Sequence, residues 1–349
     1  MNDMSRDIYL VGSVPLPSAE DVFKTVAPLF GDRLKRIPDG ETGKRLDWIT
    51  WLEPVFSQNP ALELSNDVFR LHATANPIRR YDLRPGYTAS DVKIDNLFYA
   101  DIAKESYAVF KRLKDAGTIP AGTRFQVDLV PAHSVIWLFL TDALHAPIDP
   151  IYNTALKREI DEIVAAIPHD DLAIQFDVAS AVFARLQREQ VGSYGRSKAE
   201  MQETFSNILI DLGNHVPRDI ELLYHLCYGD SNHRHVVEPT DMGDMVEFTN
   251  RVMGRINRPV NLVHMPVPRD RADDAYFAPL KNLKLRPETE LCLGLVHHTD
   301  GLDGARQRLA TARKFAERFA VGTECGFGRR KLETIPELLR LHLAVAELA

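Results

Sequence analysis

The stretch Glu221-Leu-Leu-Tyr-His-Leu-Cys-Tyr-Gly-Asp230 predicts a β-strand that ends in a Gly-Asp turn. Successive side chains of a strand point to opposite faces, so His225 and Cys227 are expected on the same face. An imidazole nitrogen and a thiolate sulfur are both good zinc ligands. A core cysteine beside a polar histidine gives the same pattern, however, and only the other strands of the chain can decide between the two interpretations.

Seven further runs have the same strand-like character, and segments with helical periodicity or helix-forming composition lie between them. With the opening run, the predicted strands cover residues 7–15, 34–40, 123–131, 172–179, 221–230, 259–267, 290–298 and 319–327. Strands that alternate with helices are typical of a parallel sheet, and eight of them predict a (β/α)8 TIM barrel. The sequence has no glycine-rich phosphate-binding motif, which disfavours an open, doubly wound nucleotide-binding sheet.

Helix signals occupy the segments between the strands. Ser18 is a helix start, with Asp21 three residues later as its capping partner. Helices are predicted near residues 96–116, 150–167, 197–215, 241–256, 304–318 and 334–348, with an aromatic-rich helix around Trp48, Trp51 and Phe56. Residues 58–95 are polar and lack a clear period, so they predict a long loop or excursion. Trp48 and Trp51 are candidates for a homo-oligomer interface or for the core side of their helix.

The composition excludes several classes of function. A length of 349 residues fits two ordinary domains or one large barrel, and the strand pattern favours a single barrel domain over residues 1–349. The formal net charge is -7, with 42 basic and 49 acidic residues well mixed, which argues against nucleic-acid binding. No apolar run reaches about 18 residues and the first residues lack an apolar signal core, so we expect a cytoplasmic protein without a membrane span. The three cysteines are expected to be reduced, with Cys292 in the core.

Polar side chains gather at the carboxyl ends of the predicted strands, where barrel enzymes carry their active sites. In chain order they are Ser13, Asp39, Glu41, Asp128, His133, Asp177, His225, Cys227, His264, His297, His298, Asp300, Glu324 and Cys325. The loop after the fifth strand adds His233 and His235. Buried polar groups are unfavourable unless they are paired or used. A ring of them on one face therefore predicts a functional site.

Cys325 decides between the two interpretations of the opening pair. It is expected at the same end of the barrel as His225 and Cys227, three strands further round. Three nitrogen and sulfur ligands that converge leave a fourth position open, as a catalytic zinc ion requires. We therefore predict a zinc site formed by His225, Cys227 and Cys325. His264 is a candidate for an extra ligand, a substrate contact or a core residue, and Cys325 packed under Gly326 is the alternative without a metal.

Five short motifs in the chain resemble motifs of the cobalamin-independent methionine synthases, which share a barrel superfamily with uroporphyrinogen decarboxylase. They are Val11-Gly-Ser-Val-Pro15, Asp39-Gly-Glu41, Ile174-Gln-Phe-Asp177, His225-Leu-Cys-Tyr228 and Thr323-Glu-Cys-Gly-Phe327. The resemblance runs along nearly the whole chain but is weak between the motifs. It implies that the last two motifs bind zinc. It also implies that Ser13, Glu41 and Asp177 hold the polar end of a thiol substrate.

Departures from the family pattern leave some roles open. The family has a glutamate on the sixth strand as a fourth zinc ligand, and the nearest counterpart here is His264. Its catalytic histidine on the seventh strand corresponds to His297 or His298, and the sequence does not say which. The second, N-terminal barrel of the methionine synthases is not found in this sequence. The resemblance therefore implies transfer to a zinc-bound thiol, as in single-barrel relatives, rather than folate-dependent methionine synthesis.

The expected activity is transfer of a methyl or other alkyl group to a thiol that zinc holds as a thiolate. The partners would be a small-molecule thiol and an alkyl donor, with His297 or His298 as proton donor to the leaving group. Asp177 is a candidate for catalysis and for substrate binding, and Asp128 and His264 are further candidate substrate contacts. A metal-free lyase that uses Asp177, His297 and arginines on an acidic substrate is the alternative. A non-catalytic binding protein is a third hypothesis.

Overall fold

The computed structural model describes residues 7–71, 76–229 and 235–349. Its strands are β1 (Arg36–Pro38), β2 (Leu62–Phe69), β3 (Ile78–Leu83), β4 (Arg124–Leu129), β5 (Leu172–Val178), β6 (Glu221–Leu226), β7 (Leu262–Pro266), β8 (Glu290–Val296) and β9 (Ala320–Thr323). Seven of them form one parallel sheet in the order β1-β4-β5-β6-β7-β8-β9. The sheet is curled and helices surround it, which confirms the predicted α/β class. The predicted turn at Asp230, His233 and the first six residues, where no signal core was expected, lie outside the described ranges.

The first predicted strand is connected to both edges of this sheet. On one side, Val321 of β9 exchanges two backbone hydrogen bonds with it, from Tyr9 N–H at 2.9 Å and to the Asp7 carbonyl at 3.0 Å. On the other side, Val14 N–H donates to the Gly40 carbonyl, just beyond β1, at 2.8 Å. The segment therefore contacts β9 and the residues that follow β1. It takes part in only one isolated β-bridge, so this predicted strand is confirmed only in part.

Apart from the aromatic-rich segment around Trp48, each segment that the sequence predicts as a helix contains an α-helix. The α-helices of the described ranges are α1 (Ala19–Phe30), α2 (Glu53–Ser57), α3 (Tyr99–Asp115), α4 (Ala132–Phe139), α5 (His145–Ala166), α6 (Ser180–Arg188), α7 (Lys198–His215), α8 (Gly243–Arg255), α9 (Asp274–Phe277), α10 (Gly301–Ala312) and α11 (Ile335–Leu348). Ser18 caps α1, because its hydroxyl oxygen accepts from Asp21 N–H at 3.2 Å. No helix of the described chain combines the length and apolarity that a membrane span needs.

Two segments differ from the prediction. Residues 58–95, predicted as a loop, contain the antiparallel hairpin of β2 and β3. The aromatic-rich segment forms short 3-10 turns and only one helical turn at α2, because Trp48 adopts a left-handed backbone with φ of +51°. A left-handed residue interrupts a right-handed helix. Trp51 packs edge-on against Tyr99, with ring centroids 5.2 Å apart, so it contributes to the core side of this segment.

An ion-pair network ties the strands together at their amino ends, opposite the polar ring. The buried guanidinium of Arg36 on β1 pairs with Glu221 on β6 and, at 3.0 Å, with Glu290 on β8. Lys35 adds a bond of 2.8 Å to Glu290. Because these partners lie on strands that are not neighbours, the network crosses the interior of the curled sheet. The carboxyl ends of the strands, at the other end, are thereby left for the site.

Candidate metal centre

His225, Cys227 and Cys325 converge, as the sequence predicts. One candidate ligand atom from each residue lies within 4.8 Å of the other two, and the sulfurs of Cys227 and Cys325 are 3.8 Å apart. His225 is on β6, Cys227 follows β6 directly, and Cys325 follows β9. No other group of this kind occurs among the described residues. One nitrogen and two sulfurs are the donor set of a zinc site that keeps its fourth position for a substrate.

The hydrogen bonds of His264 fix which nitrogen of His225 is available to a metal. Parallel pairing of β6 with β7 places His225 directly beside His264. His264 Nε2 lies 2.9 Å from the Thr323 carbonyl, which can only accept, so Nε2 carries the proton. His264 Nδ1 then has a lone pair and accepts from His225 Nδ1–H at 2.8 Å. The free lone pair of His225 is therefore on Nε2, and this is the atom that would bind the metal.

Burial keeps both imidazoles in the neutral form that a metal ligand needs. Burial lowers the pKa of His264 to about 4, and burial together with the neighbouring His264 lowers the pKa of His225 well below its usual value. Both ring nitrogens of His264 are engaged within the protein. The geometry gives His264 the position of a support for His225. A role for it as a fourth ligand or substrate contact remains a prediction.

Two donors lie next to the sulfurs and stabilise negative charge on them. Gly229 N–H points to Cys227 Sγ at 3.2 Å. The guanidinium of Arg329 lies 3.7 Å from Cys325 Sγ. Gly229 has a φ of +89°, and a Cβ at this position would lie 2.8 Å from the Cβ of Ser180. The close turn that aims this N–H at the sulfur thus requires glycine.

A pocket with an empty volume of about 610 Å³ contains the three ligands and most of the predicted substrate contacts. Its polar walls include Ser13, Glu41, Trp48, Asp177, His225, Cys227, Cys325 and Arg329. Concave sites with a few convergent polar groups are typical of small-molecule binding. Trp48 and Arg329 were not predicted as site residues. No spacing in the sequence predicts them as site residues. Trp48 lines the pocket because of its left-handed backbone, and Arg329 lines it from the loop after β9.

Two carboxylates, Glu41 and Asp177, line one side of this pocket, and a third, Asp128, lies behind Gly12 and lines a neighbouring pocket instead. Gly12 packs against two of them: a Cβ there would lie 2.8 Å from Asp128 Oδ2 and 3.3 Å from Glu41 Oε2. Burial, and then repulsion from Asp177, raises the pKa of Glu41 to about 8 and that of Asp128 well above its usual range. Burial also raises the pKa of Asp177 to about 7, against hydrogen bonds from Gln175 and Trp48. A cationic group would relieve this repulsion.

Ser13 lies on the wall of the same pocket. Its hydroxyl oxygen accepts from Gly328 N–H at 3.0 Å, in the loop that follows Cys325. Its backbone carbonyl accepts from Phe327 N–H at 2.6 Å. These bonds hold the first predicted strand against the loop of the metal ligands, so Ser13 is positioned beside the site as the sequence predicts.

The predicted proton donors lie outside the metal pocket. His297 is buried and lines a neighbouring pocket of about 540 Å³ with His235 and Glu324. Its Nε2 donates to the Val267 carbonyl at 2.8 Å, and its Nδ1 is 3.9 Å from Glu324 Oε1. His298 instead bonds the exposed side chain of Glu337 at 3.1 Å. Of the two histidines, only His297 is in a pocket next to the metal ligands.

Glu324, which lines the second pocket, is adjacent in sequence to Cys325, which lines the first. Burial alone would raise the pKa of Glu324, but His297 and His235 lower it. His235 Nε2 lies 3.1 Å from Glu324 Oε2, and its other nitrogen lies 2.8 Å from Glu238. Against the effect of burial, these two carboxylates raise the pKa of His235 to about 10. Glu324 is therefore an ionised residue between two imidazoles.

No family model matches the sequence, and no curated protein matches it either. The interpretation of the site consequently depends on the chain's own residues and their geometry.

Proposed function

We propose that the protein is a zinc-dependent transferase that moves a methyl or other alkyl group to a metal-activated thiol. The observation that carries this proposal is the convergence of His225, Cys227 and Cys325 on a pocket whose other side holds buried carboxylates. The donor set of one nitrogen and two sulfurs fits zinc, and three protein ligands fit a site that accepts a substrate. The proposal includes a (β/α)8 barrel, in which the first predicted strand is the eighth member of the sheet. The resemblance to cobalamin-independent methionine synthases agrees with the proposed barrel and with the proposed activity.

When bound, zinc would lower the pKa of the substrate's thiol, so that a thiolate is present at neutral pH. The chain's own residues would orient that substrate. Glu41 and Asp177 would accept hydrogen bonds from a positively charged amino group, which is the ligand that best offsets their mutual repulsion. The Ser13 hydroxyl, held by Gly328, would donate to a polar group at the same end of the substrate. The thiol substrate is therefore an aminothiol.

A proton for the leaving group would come from the second pocket. Burial lowers the pKa of His297, and the ionised Glu324 beside it acts against this effect and would orient the ring toward the substrate. His298 has its Nε2 bonded to Glu337 at the surface, so His297 is our choice of donor.

One experiment tests the metal and the thiol together. Protein purified in the presence of zinc should hold one equivalent, and Cys325→Ser should lose it. Cys292→Ser is the matched control, because Cys292 is fully buried in the core and lies outside both pockets. The aminothiol homocysteine serves as the probe for the substrate. In the absorption spectrum of the cobalt-substituted protein, it should change the sulfur-to-metal charge-transfer band by adding a third sulfur to the metal. No bound zinc, or zinc that stays in Cys325→Ser, would show that the proposal is wrong.

One observation favours a second candidate function, a metal-free lyase that acts on an acidic substrate. The pKa of Asp177 is raised to about 7, so its carboxyl can hold a proton near neutral pH and give it up without a metal. The two candidates differ in what they require of Cys227. Full activity of the Cys227→Ser protein after removal of metal would favour the lyase, whereas loss of activity together with zinc favours the transferase.

A further inference from the structure

The two candidate sulfur ligands are also close enough to react with each other. Cys227 Sγ and Cys325 Sγ are 3.8 Å apart, and neither belongs to a disulfide. A disulfide needs a separation of about 2.0 Å, so the sulfurs must approach by a little under 2 Å. Both cysteines lie just beyond strand ends, in segments that contain Gly229 and Gly326. Loop residues at such positions adjust more readily than residues within the sheet.

We propose that Cys227 and Cys325 form a modification site for hydroperoxides, which convert the two thiols to an intramolecular disulfide. A disulfide sulfur is a poor metal ligand compared with a thiolate, so this reaction removes two of the three candidate ligands at once. Reduction by a dithiol would restore them. The inference concerns the chemistry of the thiols alone and stands apart from alkyl transfer.

The surroundings assign an order to the two steps. Cys227 is almost fully buried whereas Cys325 is partly exposed to the pocket, so a peroxide reaches Cys325 first. Its sulfur attacks one peroxide oxygen, the O–O bond breaks, and the other oxygen leaves with a proton as water or an alcohol. The product at Cys325 is a sulfenic acid. Cys227, which is almost fully buried, then attacks that sulfur, and the S–O bond breaks with loss of water. The peroxide gains two electrons and the two thiols lose them.

The third cysteine provides an internal reference. Cys292 is fully buried on β8 and lines neither the metal pocket nor the His297 pocket. Burial raises the pKa of its thiol well above the usual value, which suppresses the reactive thiolate. Cys292 should therefore stay reduced while the other two thiols react.

The test uses the full chain after removal of metal, treated with hydrogen peroxide and then denatured for thiol titration. We expect the count to fall from three thiols to one, the mass to fall by two hydrogen atoms, and peptide mapping to join Cys227 to Cys325. Dithiothreitol should restore all three thiols. Three unreacted thiols, a cross-link between chains, or a sulfinic acid on Cys325 without the cross-link would each overturn the proposal.

Two variants test the order of the two oxidation steps. Zinc tests whether the disulfide and the proposed metal site use the same sulfurs. In Cys227→Ser, oxidation should stop at a sulfenic acid on Cys325, which dimedone traps. In Cys325→Ser, peroxide should convert Cys227 to a dimedone-reactive sulfenic acid several times more slowly than it converts Cys325 in Cys227→Ser. Equal rates in the two variants would overturn the assigned order. Zinc should slow disulfide formation in the wild-type chain if the proposed function holds. If the chain binds no zinc, the proposed function fails while the disulfide is still expected, so the two failures are distinguishable.

Discussion

Replacement of His264 by phenylalanine tests the geometry of the metal centre most directly. The change keeps an aromatic ring of similar size at a fully buried position. It removes the acceptor of His225 Nδ1–H at 2.8 Å and the donor to the Thr323 carbonyl at 2.9 Å. His225 can then place its proton on either nitrogen, and the lone pair is no longer fixed on Nε2.

Loss of a partner of this kind typically weakens metal binding tenfold to a hundredfold, or about 1.4 to 2.7 kcal/mol. Two buried polar groups also lose their partners, so the metal-free His264→Phe protein should be destabilised by about 1–3 kcal/mol for each unpaired group. Zinc affinity is measured by competition with a chromogenic chelator near neutral pH, and stability by urea unfolding. His264→Gln, which offers both an acceptor and a donor, should recover part of the affinity.

His133→Phe is the matched control for this substitution. His133 is also fully buried, but neither of its ring nitrogens has a hydrogen-bond partner among the described residues. Its replacement should leave zinc affinity unchanged. If His264→Phe also binds zinc like the wild type, the support role is wrong. If His264→Phe loses zinc as completely as Cys325→Ser, His264 is a direct ligand and the tautomer argument is refuted.

Three further changes probe the acidic side of the pocket and the opposite end of the sheet. Gly12→Ala places a methyl 2.8 Å from Asp128 Oδ2 and should displace the carboxylates beside it. Titration of the cobalt protein with homocysteine should then show binding that is weaker on the order of tenfold to a hundredfold. Unchanged binding would show that these carboxylates do not contact the substrate. As the pH rises through about 7 and 8, Asp177 and Glu41 lose protons and become anionic. The dissociation constant of homocysteine should therefore fall relative to that of an analogue without the amino group. A ratio of the two dissociation constants that stays constant with pH would contradict this prediction. Arg36→Met removes the cation that Glu221 and Glu290 share and leaves each with one other cation, Arg124 for Glu221 and Lys35 for Glu290. The free energy of unfolding in urea should therefore fall by about 1.5–3 kcal/mol, and a loss below about 1 kcal/mol would show that solvent screens the network.

The strands were predictable because each buried run ends in polar residues or turn signals. All seven runs after the first contain a strand of the parallel sheet. Helix α4 was not predicted, since every residue from Ala132 to Phe139 is buried and the sequence shows no amphipathic period. The hairpin of β2 and β3 was missed for the opposite reason: most of Leu62–Phe69 is exposed or half-buried, so no apolar alternation appears.

Within the site, strand alternation predicted which side chains share a face but not how they bond to one another. Alternation placed Cys227 with His225, and the position after the last strand placed Cys325 near them. The role of His264 depends on the register of β6 against β7 and on a carbonyl of Thr323, and neither can be read from spacing. The position of His297 in a second pocket depends on the path of the chain between β8 and α10.

If the protein has the proposed function, the sheet that brings the metal ligands together also limits the length of the substrate. Asp177 on β5 and His225 on β6 are directly paired neighbours, and adjacent strands lie about 4.8 Å apart. The backbones that carry Asp177 and His225 are therefore one strand spacing apart, which on the proposed function holds the amino-group and metal ends of the substrate site on adjacent strands. A ligand that spans them needs only a few bonds between sulfur and nitrogen, which favours small aminothiols over peptides. The pairing of β5 with β6 fixes the separation of Asp177 and His225, so this separation should change little when a substrate binds.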